Sequence, residues 1–140
     1  MNVLFFVIDA LRPDHLGYHG YKHRTSPFLD GLSKEGMTFM NCYANNNSTE
    51  PSSTTIVTGR YPESHQIVAT EGEVRLSPDI PMLNEILHER GYRTISIYPG
   101  GKWFKERFDI YIPEPHFYRD RSFENVSRVE ELLDKIQKQK

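Results

Sequence analysis

Thr49 carries the hydroxyl best placed by its neighbours to do chemistry. In Thr49-Glu50-Pro51-Ser52-Ser53-Thr54-Thr55-Ile56-Val57-Thr58-Gly59 it stands at the mouth of a short helix that starts at a proline and stops at a glycine. A helix start offers N–H groups without intrahelical partners and the positive end of the helix dipole. An anionic ester held there would face the Thr49 oxygen as its nucleophile. The plain alternative is a threonine cap followed by a glycine stop. Arg60 and His65 follow shortly beyond. Arg60 divides between a contact to the anion and a brace for the loop.

The second residue of interest is Asp9. Asn2-Val3-Leu4-Phe5-Phe6-Val7-Ile8 is an unbroken apolar run of strand length, and Asp9 closes it. In an open α/β sheet, the end of such a strand presents ligand-binding residues, which makes this carboxylate a metal candidate. A turn cap is the other reading. Asp9-Ala10-Leu11-Arg12-Pro13-Asp14-His15-Leu16-Gly17, then Thr49-x-Pro51-Ser52, then Thr58-Gly59-Arg60-Tyr61-Pro62 together resemble, in that order, the sulfatase branch of the alkaline phosphatase superfamily. The resemblance covers roughly residues 2 to 112.

That resemblance implies a metal-dependent hydrolase of sulfuric or phosphoric esters, with an anionic sulfate or phosphate ester as substrate. Asp9 would be a ligand to a divalent metal (Zn, Mn or Ca), and Thr49 would be both nucleophile and metal-bound oxygen. Lys102, in Gly101-Lys102-Trp103, matches a lysine that binds sulfate in several sulfatases, and His65 matches a histidine that follows the Thr-Gly-Arg motif and supports the loop near the cleft. Three positions depart from the pattern. Thr49 stands where sulfatases carry a cysteine or serine that is oxidised to formylglycine, whereas oxidation of threonine's secondary hydroxyl gives a ketone. Threonine holds this place in the phosphodiesterase and phosphoethanolamine transferase relatives, where it attacks directly, which moves the expected substrate toward phosphate. Ser53 replaces an arginine, and Ala10 replaces a second metal-binding aspartate.

Around these residues the elements alternate. Pro27 and Gly36 bracket a helix with Phe28, Leu29 and Leu32 on one face, and Met37 to Ala44 reads as a strand. Residues 63 to 80 read as a surface loop. Met82, Leu83, Ile86 and Leu87 give a helix closed by Gly91, and Tyr92 to Tyr98 gives a further strand. The fold class expected is therefore α/β, with a mostly parallel sheet flanked by helices, alkaline phosphatase/sulfatase-like and apparently truncated. Residues 1–112 form the N-terminal part of the catalytic domain, and 113–140 a charged connector followed by an amphipathic C-terminal helix. Members of the resembled family are longer and carry further metal ligands in a later segment, so a second polypeptide would have to complete the site. The competing reading is a truncated, non-catalytic fragment acting as a binding or interaction module.

His15, His19 and His23 recur every fourth residue, a zinc-binding stripe if helical, but Gly17 and Gly20 oppose a helix; His15 lies nearest Asp9 and is the one with a possible supporting role. Arg12 and Asp14 are expected to brace the loop as an ion pair. A net charge of −2 with 26% charged residues disfavours nucleic acid and anionic membrane as partners. The single Cys42 fits a reducing compartment and is expected in the core. The first apolar run lacks a basic flank and is shorter than the 18 or so residues that span a bilayer, so a cytoplasmic location is expected.

Overall fold

A computed structural model describes residues 1–70, 74–97 and 103–112, together with Glu130 and Asp134. Lys102, the connector after residue 112 and the side chains proposed for the amphipathic C-terminal helix lie outside the described residues.

The sheet forms where β-branched residues recur. β1 (Ile95–Ile97) and β2 (Ile110–Ile112) pair in parallel, Ile95 opposite Ile110 and Ile97 opposite Ile112. Helices α1 (Pro27–Glu35), α2 (Thr49–Thr58), α3 (Pro62–His65) and α4 (Leu83–Glu89) accompany them among the described residues. Helices with a parallel strand pair make the chain α/β. Parallel strands need a long return connection, and here the return supplies the core with Trp103 and Phe104. These two pack with Ile67, Leu76, Ile80 and Met82, and Val57, Phe108 and Tyr111 lean on the cluster.

Two polar clasps fix this unit. Glu85, in the first turn of α4, accepts the Met82 N–H at 2.8 Å and receives the Arg107 guanidinium in a forked pair, Nε to Oε1 at 2.7 Å and Nη2 to Oε2 at 2.5 Å. Arg107 also donates to the Ile80 carbonyl, and its own carbonyl accepts from Asn84. The second clasp is Asp109, whose Oδ2 accepts the Thr94 N–H at 2.7 Å and the Thr94 hydroxyl at 2.9 Å while His88 Nδ1 stands 2.9 Å from Oδ1. It sets the register of β2 one residue before the ladder begins.

Elsewhere the structure corrects the expectations. Residues 63 to 80 are not a surface loop: they contain α3, and Ile67, Leu76 and Ile80 are core residues. Alternation failed to reveal this because the buried residues are widely spaced. Residues 2–8 and 37–44 form no strand, since neither run finds a ladder partner among the described residues. Their side chains are uncovered, Leu4 at 81% and Phe6 at 76% exposure, with Phe39 and Tyr43 similarly open. Cys42 is exposed and not in the core. α1 forms as expected between Pro27 and Gly36, but Phe28 and Leu32 on its apolar face are exposed.

The loop before α1 is held by a compact polar knot. Ser26 Oγ accepts the Gly17 N–H at 2.9 Å and donates to Asp30 Oδ1 at 2.9 Å, and the same oxygen accepts the Tyr18 N–H at 3.0 Å. A Cβ on Gly17 would collide with Asp30 Oδ2 and stand 2.7 Å from Asp30 Cγ. We predict that Gly17→Ala destabilises the protein by about 1–3 kcal/mol, because Asp30 can retreat only by releasing its donors. A chemical denaturation midpoint equal to that of the parent would refute this. Asp109 generates a second prediction. The Thr94 N–H, then His88, then the Thr94 hydroxyl hold its pKa down to about 2. A depressed carboxylate binds fewer protons folded than unfolded, so this clasp contributes stability that is full above about pH 4 and is lost as pH falls through about 2. Thermal melts should show the gap between the parent and Asp109→Asn closing across that window, and a constant gap would contradict the assignment.

Candidate active site at the start of α2

α2 begins at Thr49, two residues before the proline, so Thr49 is the first helical residue and Ser48 is the cap. Pro51 is tolerated in the first turn because the N–H it lacks would have had no intrahelical partner. The helix ends as expected, with Gly59 in the left-handed region at φ 65° and its N–H returning to Thr55 O. Ser48 makes no side-chain cap. Its place is taken by Thr70, whose hydroxyl accepts the Glu50 N–H at 3.4 Å and meets Ser48 Oγ at 3.0 Å. Nothing in the sequence marked Thr70, because its partners lie some twenty positions earlier.

The helix is anchored from below. Pro51 and Thr54 are buried, and the Thr54 hydroxyl donates to Glu50 O at 2.6 Å. His65, at the end of α3, is 1% exposed. Its Nδ1 accepts the Ile67 N–H at 3.1 Å, and its Nε2 lies 3.1 Å from Thr55 Oγ1. Burial pushes the His65 pKa down, outweighing the nearby Pro51 carbonyl and Glu63 that favour the charged ring. His65 therefore supports α2 and does not face the cleft.

At the exposed mouth of α2, the Thr49 hydroxyl points at Asp9, with Oγ1 3.4 Å from Oδ2. The two residues are forty positions apart in the chain. Ala10, directly after Asp9, holds φ at 54°, a region that side chains other than glycine seldom enter. An O···O spacing of 3.4 Å is wide for a hydroxyl hydrogen bond. Were a divalent cation held here, Thr49 Oγ1 and Asp9 Oδ2 are the two oxygens that would hold it. This donor pair fits a hard cation, but it supplies only two of the six or more oxygens such an ion takes. Among the described residues no group of three or more His, Cys, Asp or Glu converges on one point.

The remaining candidates lie apart from this pair. Arg60 is exposed beyond Gly59, at the opposite end of α2 and roughly 15 Å along the helix axis from Thr49. Arg12 forms the expected pair with Asp14, Nε to Oδ1 at 3.0 Å and Nη2 to Oδ2 at 2.5 Å, which holds the Asp14 pKa well below the ordinary carboxylate range. His15 joins that pair through Nδ1 to Asp14 Oδ1 at 3.2 Å and packs against Tyr21. His15 and His19 fall in two separate 3-10 turns divided by Leu16, and Gly20 at φ 94° ends the second, so the histidines form no helical stripe. No helix among the described residues is long and apolar enough to cross a membrane.

The family model described as Sulfatase matches residues 1–140. The N-acetylgalactosamine-6-sulfatase of Sus scrofa is 30% identical over 150 residues, covering 89% of this chain and 28% of that protein. The N-acetylglucosamine-6-O-sulfatase of Bacteroides thetaiotaomicron is 30% identical over 102 residues, with 73% and 17% covered, and the iduronate 2-sulfatase of Homo sapiens is 31% identical over 98 residues, with 69% and 18% covered. The chain thus spans between 17% and 28% of the length of these relatives. With the family model running its whole length and relatives 30% identical over most of the chain, the chain belongs to the sulfatase family.

Proposed function

We propose that this chain carries the nucleophile and the first metal ligand of a sulfatase-type ester hydrolase, acting on a sulfuric or phosphoric ester. The observation that carries the reading is the Thr49 hydroxyl facing the Asp9 carboxylate at the exposed N-terminus of a ten-residue helix. Thr49 Oγ1 and Asp9 Oδ2 would hold a divalent metal. Such an ion, when bound, lowers the pKa of an oxygen it coordinates and neutralises charge on the ester.

The chain's own residues would act as follows. Asp9 Oδ2, 3.4 Å from Thr49 Oγ1, would help orient the attacking oxygen. The positive end of the α2 dipole would favour an anionic ester held at this mouth. Attack by Oγ, its hydroxyl proton passing to solvent, forms a bond to phosphorus or sulfur as the bond to the leaving oxygen breaks, and the leaving oxygen takes up a proton from solvent. Water then hydrolyses the threonine ester. Without a formyl group, sulfate cannot be released from Thr49 by elimination, so the covalent ester must be cleaved at phosphorus or sulfur, and phosphoryl intermediates of this kind are resolved readily by metal-assisted hydrolysis. Threonine therefore favours phosphate mono- or diesters over sulfate esters.

The small number of donors supports a second component of the reading. Two oxygens leave a divalent ion largely hydrated, and the uncovered residues 3–8 offer a long apolar surface beside Asp9. A further polypeptide segment bearing carboxylates and histidines would cover that surface and complete the ion's ligands. The isolated chain would then act as a binding module without turnover of its own.

We predict that calorimetric titration of the isolated chain with zinc, manganese or calcium gives only weak binding, and that aryl phosphates and aryl sulfates are not turned over. Sub-micromolar affinity with robust turnover would show that the described residues already complete the site. Once the chain is combined with the remaining part of a sulfatase domain, Thr49→Ala should lower phosphate ester turnover by at least about 10³-fold, the order that losing a nucleophile costs, while Thr49→Ser retains part of it. Parent-level turnover in Thr49→Ala would end the nucleophile assignment. A strong preference for sulfate esters with Thr49 unmodified would end the substrate inference.

A further inference from the structure

The hydrogen-bond pattern at His65 determines which ring nitrogen carries the proton. The Ile67 N–H donates to Nδ1, so Nδ1 must present a lone pair. In the neutral ring the hydrogen then sits on Nε2, which places it as a donor toward Thr55 Oγ1, with the Pro51 carbonyl also within its reach. The ring is buried against Pro51, which is itself buried in the first turn of α2, and its other side is tied to Ile67, a core residue. A continuous path of contacts thus runs from the core through Ile67, His65 and Thr55 into the helix that bears Thr49.

We propose that His65 is a positioning residue for this site: as a neutral imidazole protonated on Nε2, it fixes α2 against the core and thereby sets where Thr49 meets Asp9. The proposal rests on the reading of Thr49 as the nucleophile, but it concerns the ring and the helix, both of which can be observed without turnover. A buried ring that merely filled space would need neither a fixed tautomer nor the Thr55 hydroxyl. Of the charged groups near the ring, Glu63 on α3 favours the protonated form, and burial opposes it.

Two measurements on the intact chain test this. Long-range proton–nitrogen correlation spectra of the imidazoles should show His65 as a single Nε2–H tautomer that persists below pH 6.5, the ordinary histidine value. A ring protonated on Nδ1, or one averaging between tautomers, would overturn the proposal. The second measurement uses Thr55→Val, which keeps the volume and leaves the ring buried, so folding is expected to survive. Removing the acceptor should speed amide exchange at Ser52, whose N–H closes the first turn of α2 onto Ser48 O at 3.2 Å, by about 3- to 10-fold, the effect of one neutral hydrogen bond. The Ile86 amide in α4 should be unchanged. Thr58→Val serves as the control, because its hydroxyl donates to Thr54 O and lies away from the ring. Unchanged Ser52 exchange in Thr55→Val, or equal acceleration in both variants, would reduce His65 to a packing residue. Neither result depends on whether Thr49→Ala abolishes turnover, so the two assignments stand or fall separately.

Discussion

A guanidinium cannot leave water alone, and the pairing of Arg107 with Glu85 is the constraint around which the core of this protein is arranged. The Arg107 side chain is only 13% exposed, so its charge must be met by the Glu85 carboxylate in a forked geometry. Glu85 is held in turn by the Met82 N–H, and Arg107 reaches the Ile80 carbonyl as well. One ion pair therefore joins the start of α4, the segment entering it and the approach to β2. Removing either partner would strand the other charge, which costs far more than the pair contributes when intact. The apolar residues between these clasps, Met82 and Phe104 above all, are buried because the clasps bring their segments together.

The site hangs from this unit by a different kind of contact. α2 touches the core through Val57 and, by way of His65, through Ile67. Its first turn is capped by Thr70, from the stretch that follows Ile67. Thr49 is thus positioned from the core side, while Asp9 arrives from a segment without a ladder partner among the described residues and is followed by a left-handed turn at Ala10. The two residues are therefore supported unequally.

The exposed residues tell the same story in energetic terms. Val3 to Ile8, Phe28, Phe39 and Tyr43 leave much apolar surface in water. Burial of such surface is worth roughly 25 cal/mol per Å², so its exposure removes the main force that would turn residues 2–8 into a strand. An apolar run specifies a strand only when neighbours exist to pair and cover it.

Much of this was legible in the sequence, for local reasons. Pro27 and Gly36 bound α1, Gly59 stops α2, and Ile95 to Ile97 form a strand, because these signals act within a few residues of themselves. The spacing and order of the motifs around Asp9, Thr49 and Arg60 placed the chain in its family, and side-chain chemistry alone separated threonine from formylglycine. Other features depend on partners distant in the chain. No local pattern could show that Thr70 caps α2, that His65 is buried, or that Ile67, Leu76 and Ile80 belong to the core. The sequence by itself determined which groups are available for chemistry and what each could do. Only the tertiary structure decided which of them meet, because the 3.4 Å approach of Thr49 to Asp9 joins residues forty positions apart, and no single stretch of sequence specifies it.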